Sequence, residues 1–384
     1  MGSIKILIFC DWFSPAFKAG GPIRSIVNLV DRFKHEYEIY VFTSDRDLNE
    51  QQPFVGIKTD QWFEHDGYKI YYHSPGQMTY KKVKSVIAEI NPDKIYLNSM
   101  FSNMILPLMA ASRSKKIIMA PRGMLRSSAL AVKYIKKYFY LTLLRTFNVE
   151  QDIVFHSTSE DETKDILRIF PKAPRIIEAP NLPVAVSDSL TAQLKNVGEL
   201  KMIFVGRIHP IKNLLFLLES LQKVNGKISL DIIATKDDDA YWANCEKQIS
   251  ELHQRIEINL YLNTPHHQIK PLLQTAHLFV LPTECENFGH AIFEALAVGC
   301  PILISDQTPW KDLQAKKAGI ELPLGNANKF SEAIQHFVDM NDTSWQEYRV
   351  GALKIARDYQ AGLQTEKSYG LIFNSGSIQI TRKT

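Results

Sequence analysis

Two carboxylates eight positions apart, Glu286 and Glu294, enclose a Phe288-Gly289 pair in the stretch ENFGHAIFE. Apolar runs flank it, HLFVLP at 277–282 and PILIS at 301–305. The arrangement that fits is strand, loop, helix, strand, with Glu286 in the loop and Glu294 inside the helix. A helix beginning near Phe288 turns its first amide N–H groups and its positive dipole end toward an anion. Gly289 clears a side chain where a ligand would meet the backbone. Glu294, about one and a half turns in, can accept hydrogen bonds from a diol while the helix start holds phosphate. An isolated pair at this spacing is ordinarily two solvated carboxylates, so the case rests on what surrounds it.

Some eighty residues upstream, MIFVGRIHPIKN (202–213) supplies a strand, Gly206, and two cations, Arg207 and Lys212. A departing diphosphate needs its growing negative charge neutralised, and fixed Arg and Lys side chains can do this. Arg offers a planar fork and Lys a movable point charge. Asp237 to Asp239, and Asp45 with Asp47, formally match an Asp-x-Asp pattern that could hold a divalent ion. Because Arg207 and Lys212 already provide countercharge, neither a metal nor a cofactor is expected. Together the two motifs describe a site for a nucleoside diphosphate carrying a polyol.

Short β-rich runs alternate with helical patterns along the whole chain, which implies α/β layers with mostly parallel sheets. The first half offers strands at Ile4 to Cys10, Glu38 to Phe42, Lys94 to Asn98, Lys116 to Met119, Ile153 to His156 and Arg175 to Ile177. The second half repeats the theme at Lys201 to Val205, Ser229 to Ala234, Glu257 to Leu260, His277 to Leu281 and Pro301 to Ile304. Residues 178–200 are Pro-bearing and aperiodic, which marks a hinge. The expected division is 1–182, a linker at 183–200, a second domain at 201–358, and a segment at 359–384. Two Rossmann-like domains of this kind hold a ligand in the cleft beyond their strand C-termini.

GRIHPIKN and ENFGHAIFEALAVGCP together resemble the nucleotide-sugar site of the GT-B retaining glycosyltransferases of family 4. The likeness runs from residue 4 to about residue 370 and is specific in the C-terminal half. It implies a GT-B fold with a C-terminal helix crossing back to the N-terminal domain. It also implies that Arg207 and Lys212 contact the donor diphosphate, that Glu294 holds the ribose, and that Glu286 faces the transferred sugar. Backbone amides at Phe288, Gly289 and His290 would lie against the phosphates, with Gly206 and Asn213 in the same nucleotide-sugar set. The TPW triplet at Thr308 to Trp310 also resembles a subset of the family.

In the N-terminal half, GGPIRS (20–25) precedes an apolar-periodic helix, and its glycines can bring backbone N–H groups close to a phosphate or sugar. A turn with Pro22 in the first helical positions fits equally well. The resemblance carries over Gly20, Gly21 and Arg24. Where many relatives have His-Gly facing the donor sugar, this chain has Arg122-Gly123, so Arg122 could meet a hydroxyl, a carboxylated sugar or an acceptor phosphate. His156, at the end of a later strand, reads as a packed or hydrogen-bonded structural histidine. From Lys94 to Val149 there are ten Lys and Arg and no Asp or Glu, and aromatics are interleaved in the long helix expected after residue 119. The 113–145 region suits anionic lipid headgroups or a pyrophosphate-linked acceptor, and also an amphipathic helix whose lysines face water.

The 384 residues, 45% hydrophobic and 22% charged, suit an ordinary globular chain of two or so domains. Net charge is only +4 and no nucleic-acid-binding module is recognisable, so nucleic acid is not an expected partner. The four cysteines, at 10, 245, 285 and 300, form neither a zinc nor a disulfide pattern, which fits a reducing cytosol. Neither a signal peptide nor a membrane span is evident, leaving a cytoplasmic protein that could sit peripherally at the inner face of a membrane. The expected activity is metal-independent, retaining transfer of a sugar from a UDP, GDP or ADP donor to a glycan or lipid-linked acceptor hydroxyl. The rivals are a sugar-nucleotide epimerase or hydrolase of the same fold, and a non-catalytic nucleotide-sugar-binding partner subunit.

Overall fold

The computed structural model describes residues 3–102, 105–112, 116–131, 133–173, 175–252 and 256–374. The chain forms two compact units: unit 1 runs to Leu182 and resumes at Gln364, and unit 2 is Pro183–Leu363.

Unit 1 contains β1 (Lys5–Phe9), β2 (Glu38–Ser44), β3 (Trp62–His65), β4 (Tyr68–His73), β5 (Lys94–Leu97), β6 (Lys116–Met119), β7 (Ile153–Ser157) and β8 (Ile176–Glu178). Among the described residues these make one sheet in the order β3-β4-β2-β1-β5-β6-β7-β8. Only β3 pairs antiparallel, with β4. Strands such as KILIF in β1 read as continuous apolar runs because a parallel sheet is covered on both faces. The helix Gly21–Phe33 covers one face with Ile23, Ile26, Leu29, Val30 and Phe33, a helical period of buried side chains.

Unit 2 contains β9 (Glu199–Ile208), β10 (Lys227–Lys236), β11 (Glu257–Leu262), β12 (Leu278–Leu281), β13 (Ile302–Ser305) and β14 (Gly319–Leu322), in the order β11-β10-β9-β12-β13-β14. Every pairing in this sheet is parallel. The strand order reverses between β9 and β12: the chain first steps outward from β9 through β10 to β11, then crosses to the other side. Such a switch point leaves a crevice beyond the strand C-termini.

Several expectations change. The hairpin β3–β4 was not anticipated, although Asp66 and Gly67 both take positive φ, 48° and 84°, as a tight two-residue hairpin turn requires. The four-residue β14 at the sheet edge was also unforeseen. The long helix expected after residue 119 is two helices, Ser127–Ala131 and Tyr134–Thr146, with Lys133 left-handed at φ 53° between them.

The stretch 183–200, expected as a linker, runs along unit 2. Ser187 N donates to the Ala297 carbonyl at 2.9 Å, and Arg349 Nη1 donates to the Thr191 carbonyl at 2.9 Å. Lys195 Nζ donates to the carbonyls of Val338 and Met340 at 3.1 and 2.8 Å. Its aperiodic sequence reflects bonding to side chains and helix ends instead of to a sheet or its own helix.

The 21-residue helix Asp342–Gly362 belongs to unit 2, where Trp345 is buried and donates Nε1 to the His277 carbonyl. The following helix, Thr365–Phe373, packs in unit 1. Tyr369 and Phe373 lie 5.2 and 5.8 Å from Phe33, ring to ring, and Tyr369 OH donates to the Pro180 carbonyl at 3.0 Å.

Candidate functional site

In unit 2 the motif residues gather on loops that leave the C-terminal ends of adjacent parallel strands. β9 extends through Gly206 and Arg207, and a tight turn, Pro210–Lys212, follows it. His209 starts this turn by accepting from Ile211 N at 3.2 Å through Nδ1. Asn213 ends it in a left-handed conformation, φ 57°, and opens the helix Leu214–Leu221. Gly206 is not sterically demanded, since a Cβ there would meet Lys212 Cγ and the Phe204 ring at an ordinary 3.5 Å.

The loop after β12 is fastened to that turn. Thr283, fully buried, donates Oγ1 to the Ile211 carbonyl at 2.8 Å, and Glu284 N donates to the same oxygen at 2.8 Å. Ser305 Oγ donates to the Thr283 carbonyl from below, and Glu286 N donates to the Gln307 carbonyl at 3.1 Å. These ties bring Lys212 Nζ into a salt bridge with Glu286, both side chains mostly buried. The sequence motifs, 74 positions apart, thus meet at the point where the strand order reverses.

The helix begins at His290, two residues later than expected, because Gly289 is left-handed at φ 78° and cannot be inside the helix. A Cβ at Gly289 would lie 2.8 Å from Ile292 Cδ1, an end the isoleucine can move, so it is the backbone conformation that favours glycine. No side chain caps this helix start. Phe288, expected to offer only an amide, is a core residue: its ring stands 5.6 Å from Trp310 and 5.5 Å from Tyr359, and its carbonyl accepts from Trp310 Nε1 at 2.7 Å. The TPW triplet therefore acts as a prop under the loop, with Thr308 Oγ1 accepting from Trp310 N at 3.3 Å.

Three residues were missed as partners of the motifs, Asp237 having been read only as a possible metal ligand. Arg207 Nη1 meets Asp237 Oδ2 at 2.6 Å, so the acidic triplet after β10 contributes an ion-pair partner to this cation. His266, in the turn after β11, meets Glu294 at 2.8 Å through Nε2. Thr283 supplies the tie just described. Each lies on a loop at the same edge of the sheet, which is the one signal that could have found them. Each of these pairs joins two different segments of the chain.

Unit 1 arranges its candidates differently. Gly20 caps the helix Gly21–Phe33 at φ 67°, ψ −123°, a conformation suited to glycine, with open space where a Cβ would be. Gly21 is the first residue of that helix, and Arg24 follows within the first turn, its N–H directed at the Gly20 carbonyl at 3.3 Å.

Arg122, itself at φ 52°, turns inward. Its Nε donates to Asn98 Oδ1 at 3.0 Å, Nη1 to Asn181 Oδ1 at 2.6 Å, and Nη2 to Tyr96 OH at 2.7 Å. In this arrangement the fork donates to neutral protein acceptors on three different loops or strands. Asn98 passes the tie on by donating to the Pro22 carbonyl at 3.0 Å. His156, fully buried, bridges Tyr96 OH at 2.8 Å and the Ala179 carbonyl at 2.9 Å. Burial first, and the Arg122 charge second, push its pKa down to about 3.

Asp45 and Asp47 are also committed to protein. Asp45 pairs with Arg46 Nε at 2.7 Å, and Asp47 accepts from the backbone of Phe17 at 2.8 Å and Leu48 at 2.7 Å.

Residues 188–349 match the family Glycosyl transferases group 1. Over its full length the chain is similar to sucrose-phosphate synthase from Thermosynechococcus elongatus, at 17% identity, TM-score 0.69, covering 97% of each chain. It is also similar to trehalose-6-phosphate synthase, at 12% identity, TM-score 0.68, covering 97% of this chain and 99% of that one. Anabaena HepE in complex with UDP and glucose follows at 13% identity, TM-score 0.67, covering 96% and 99%. The fold is that of the GT-B glycosyltransferases. In sequence, the chain is 26% identical over 242 residues to the GDP-mannose:cellobiosyl-diphosphopolyprenol alpha-mannosyltransferase of Xanthomonas campestris. That match covers 61% of this chain and 62% of the relative's length. The group 1 match contains Arg207, Lys212, Glu286, His290 and Glu294, together with the unforeseen Asp237, His266 and Thr283.

Proposed function

We propose that the protein is a glycosyltransferase that moves a sugar from a nucleotide-sugar donor to an acceptor hydroxyl, with retention at the anomeric carbon and without a metal. The observation that carries this reading is the Lys212–Glu286 pair at the switch point of unit 2, with Arg207 on the preceding strand and an uncapped helix start at His290. In this reading Arg207, Lys212 and the first N–H groups of the helix receive the diphosphate as its bond to the sugar breaks. Glu294, steadied by His266, accepts from the ribose hydroxyls, and Glu286 orients the sugar while positive charge develops at its anomeric carbon. Donor binding divides Lys212 between Glu286 and the phosphates, so the resting ion pair keeps both groups aligned until a stronger anion arrives.

The relative that uses GDP-mannose and the HepE complex with UDP support a nucleoside diphosphate donor, and a glycan or lipid-linked acceptor fits the same company. A reducing, cytoplasmic setting belongs to the proposal and is supported by four cysteines that are not in disulfides. The test is a thermal-shift panel of UDP, GDP, ADP and their sugar conjugates in chelator, followed by NMR of the anomeric configuration of any product. A specific ligand at a hundredfold its Kd adds about 2.7 kcal/mol. No shift from any nucleotide would sink the site assignment. Activity that appears only with added metal, or an inverted product, would sink the mechanism, and donor turnover without acceptor would make the protein a hydrolase or epimerase.

A further inference from the structure

The helix Tyr134–Thr146 of unit 1 is apolar on the side that should be polar. Its inner face buries Leu141 and Leu144 in the core. At 100° per residue, the opposite face carries Ile135 and Phe139, which are 70% and 69% exposed, Tyr138 lies on its flank at 55%, and Phe147 just beyond the helix is 72% exposed. A surface helix of a globular protein normally turns charged and polar residues that way, and large rings clustered in water carry a cost that an interaction surface removes.

The charge around this face is one-sided. Lys133, Lys136 and Arg145 are exposed beside it, and no Asp or Glu occurs in the sequence from Lys94 to Val149. Lys137 is the exception that turns inward, donating Nζ to the Ala129 carbonyl at 2.6 Å. We propose that this face is an interfacial surface that lies on an anionic lipid bilayer, with Ile135, Phe139 and Phe147 among the acyl chains and the cations on the headgroups. Exposed Tyr134 and Tyr138, stacked at 5.8 Å, carry the ring-and-hydroxyl character that favours the headgroup level. Thirteen residues reach only about 20 Å, so the helix lies flat, and no helix among the described residues is long and apolar enough to cross a membrane. A second copy of the chain is a poorer occupant, since it would bring like charges together with no acid to meet them.

The test uses the full chain without donor, so its outcome is separate from that of the transferase reading. Co-sedimentation is measured with vesicles of phosphatidylcholine alone and of about three parts phosphatidylcholine to one part phosphatidylglycerol. Anionic vesicles should bind at least about tenfold more protein, and the excess should fall as salt rises from about 0.1 to 0.5 M. Ile135→Glu with Phe139→Glu should reduce binding about tenfold or more, and Lys133→Glu with Lys136→Glu should remove the preference for phosphatidylglycerol. If the double apolar variant does not fold by circular dichroism, Phe147→Glu alone should still give a several-fold loss. Equal capture by both vesicles, or variants that bind like the parent, overturns the proposal. So does a concentration-dependent dimer that the same variants dissolve without any vesicle binding.

Discussion

Arg122 in unit 1 and the pair Arg207 and Lys212 in unit 2 are cations near strand ends, yet their surroundings give them opposite roles. Arg122 donates from three nitrogens to neutral acceptors, Asn98, Asn181 and Tyr96, inside the protein. Arg207 and Lys212 each rest on one carboxylate, Asp237 and Glu286, reached from a different loop. A cation spread over neutral dipoles has nothing to gain from an arriving anion that breaks the network, because buried partners left unpaired are costly. A cation on a single carboxylate can exchange it for a phosphate at small net cost. Bonding partners therefore distinguish these cations better than position in the chain does.

The contrast can be broken most directly at Lys212. Lys212→Ala should lower kcat about 10²- to 10³-fold, with a smaller loss of melting temperature than at Arg122 because only Glu286 is left unpaired; steady-state kinetics beside a thermal melt would check both halves. Arg122→Met should do the reverse, destabilising unit 1 by about 2–4 kcal/mol through its orphaned partners, read by denaturant unfolding. If Arg122→Met instead keeps its stability and loses donor turnover, the two cations are alike after all.

Acid should weaken the same network. His156 is held neutral when folded, with its pKa at about 3, whereas the unfolded chain takes up its proton near the ordinary value. Below that value the unfolded state binds more protons, so stability falls as pH drops, by about 2 kcal/mol at pH 5 relative to neutrality. His156→Gln should flatten that part of the melting-temperature profile; an unchanged slope would exclude the histidine as its source. His266→Ala should weaken nucleotide binding about tenfold, by calorimetry, since its bond steadies Glu294. The smallest expected effect is at Asp237, where Asp237→Asn frees Arg207 and should tighten a nucleoside diphosphate about two- to fivefold. Weaker binding would mean that Asp237 positions the arginine instead of competing for it.

What was legible in the sequence follows from what is local. Continuous apolar runs and the turns between them revealed the parallel strands, because a strand buried on both faces needs no partner to be recognised. The Glu286 and Glu294 spacing and the 206–213 motif were likewise readable, since each is set within one loop and one helix. His266, Asp237 and Thr283 were not, because each acts on a residue 28 to 72 positions away and is chosen by the order of strands in the sheet. The bonding of Arg122 was hidden for the same reason: Asn98 and Asn181 converge on it from loops after other strands. The helix start slipped from Phe288 to His290 because Gly289 takes a left-handed conformation, which the residue type allows but does not announce.

The return of Thr365–Phe373 to unit 1 has a bearing on how the chain comes into being. Unit 2, at Pro183–Leu363, is an insertion between two parts of unit 1, so a ribosome completes the sheet of the first unit long before the helix that closes its aromatic cluster emerges. Through that interval Phe33 lacks the Tyr369 and Phe373 rings, and the Pro180 carbonyl lacks its hydroxyl donor. The second unit can fold as soon as Leu363 has been added, whereas the first must wait. A nascent chain stalled before residue 365 therefore carries a finished nucleotide-side unit and an unfinished partner, an order of maturation opposite to the order of synthesis.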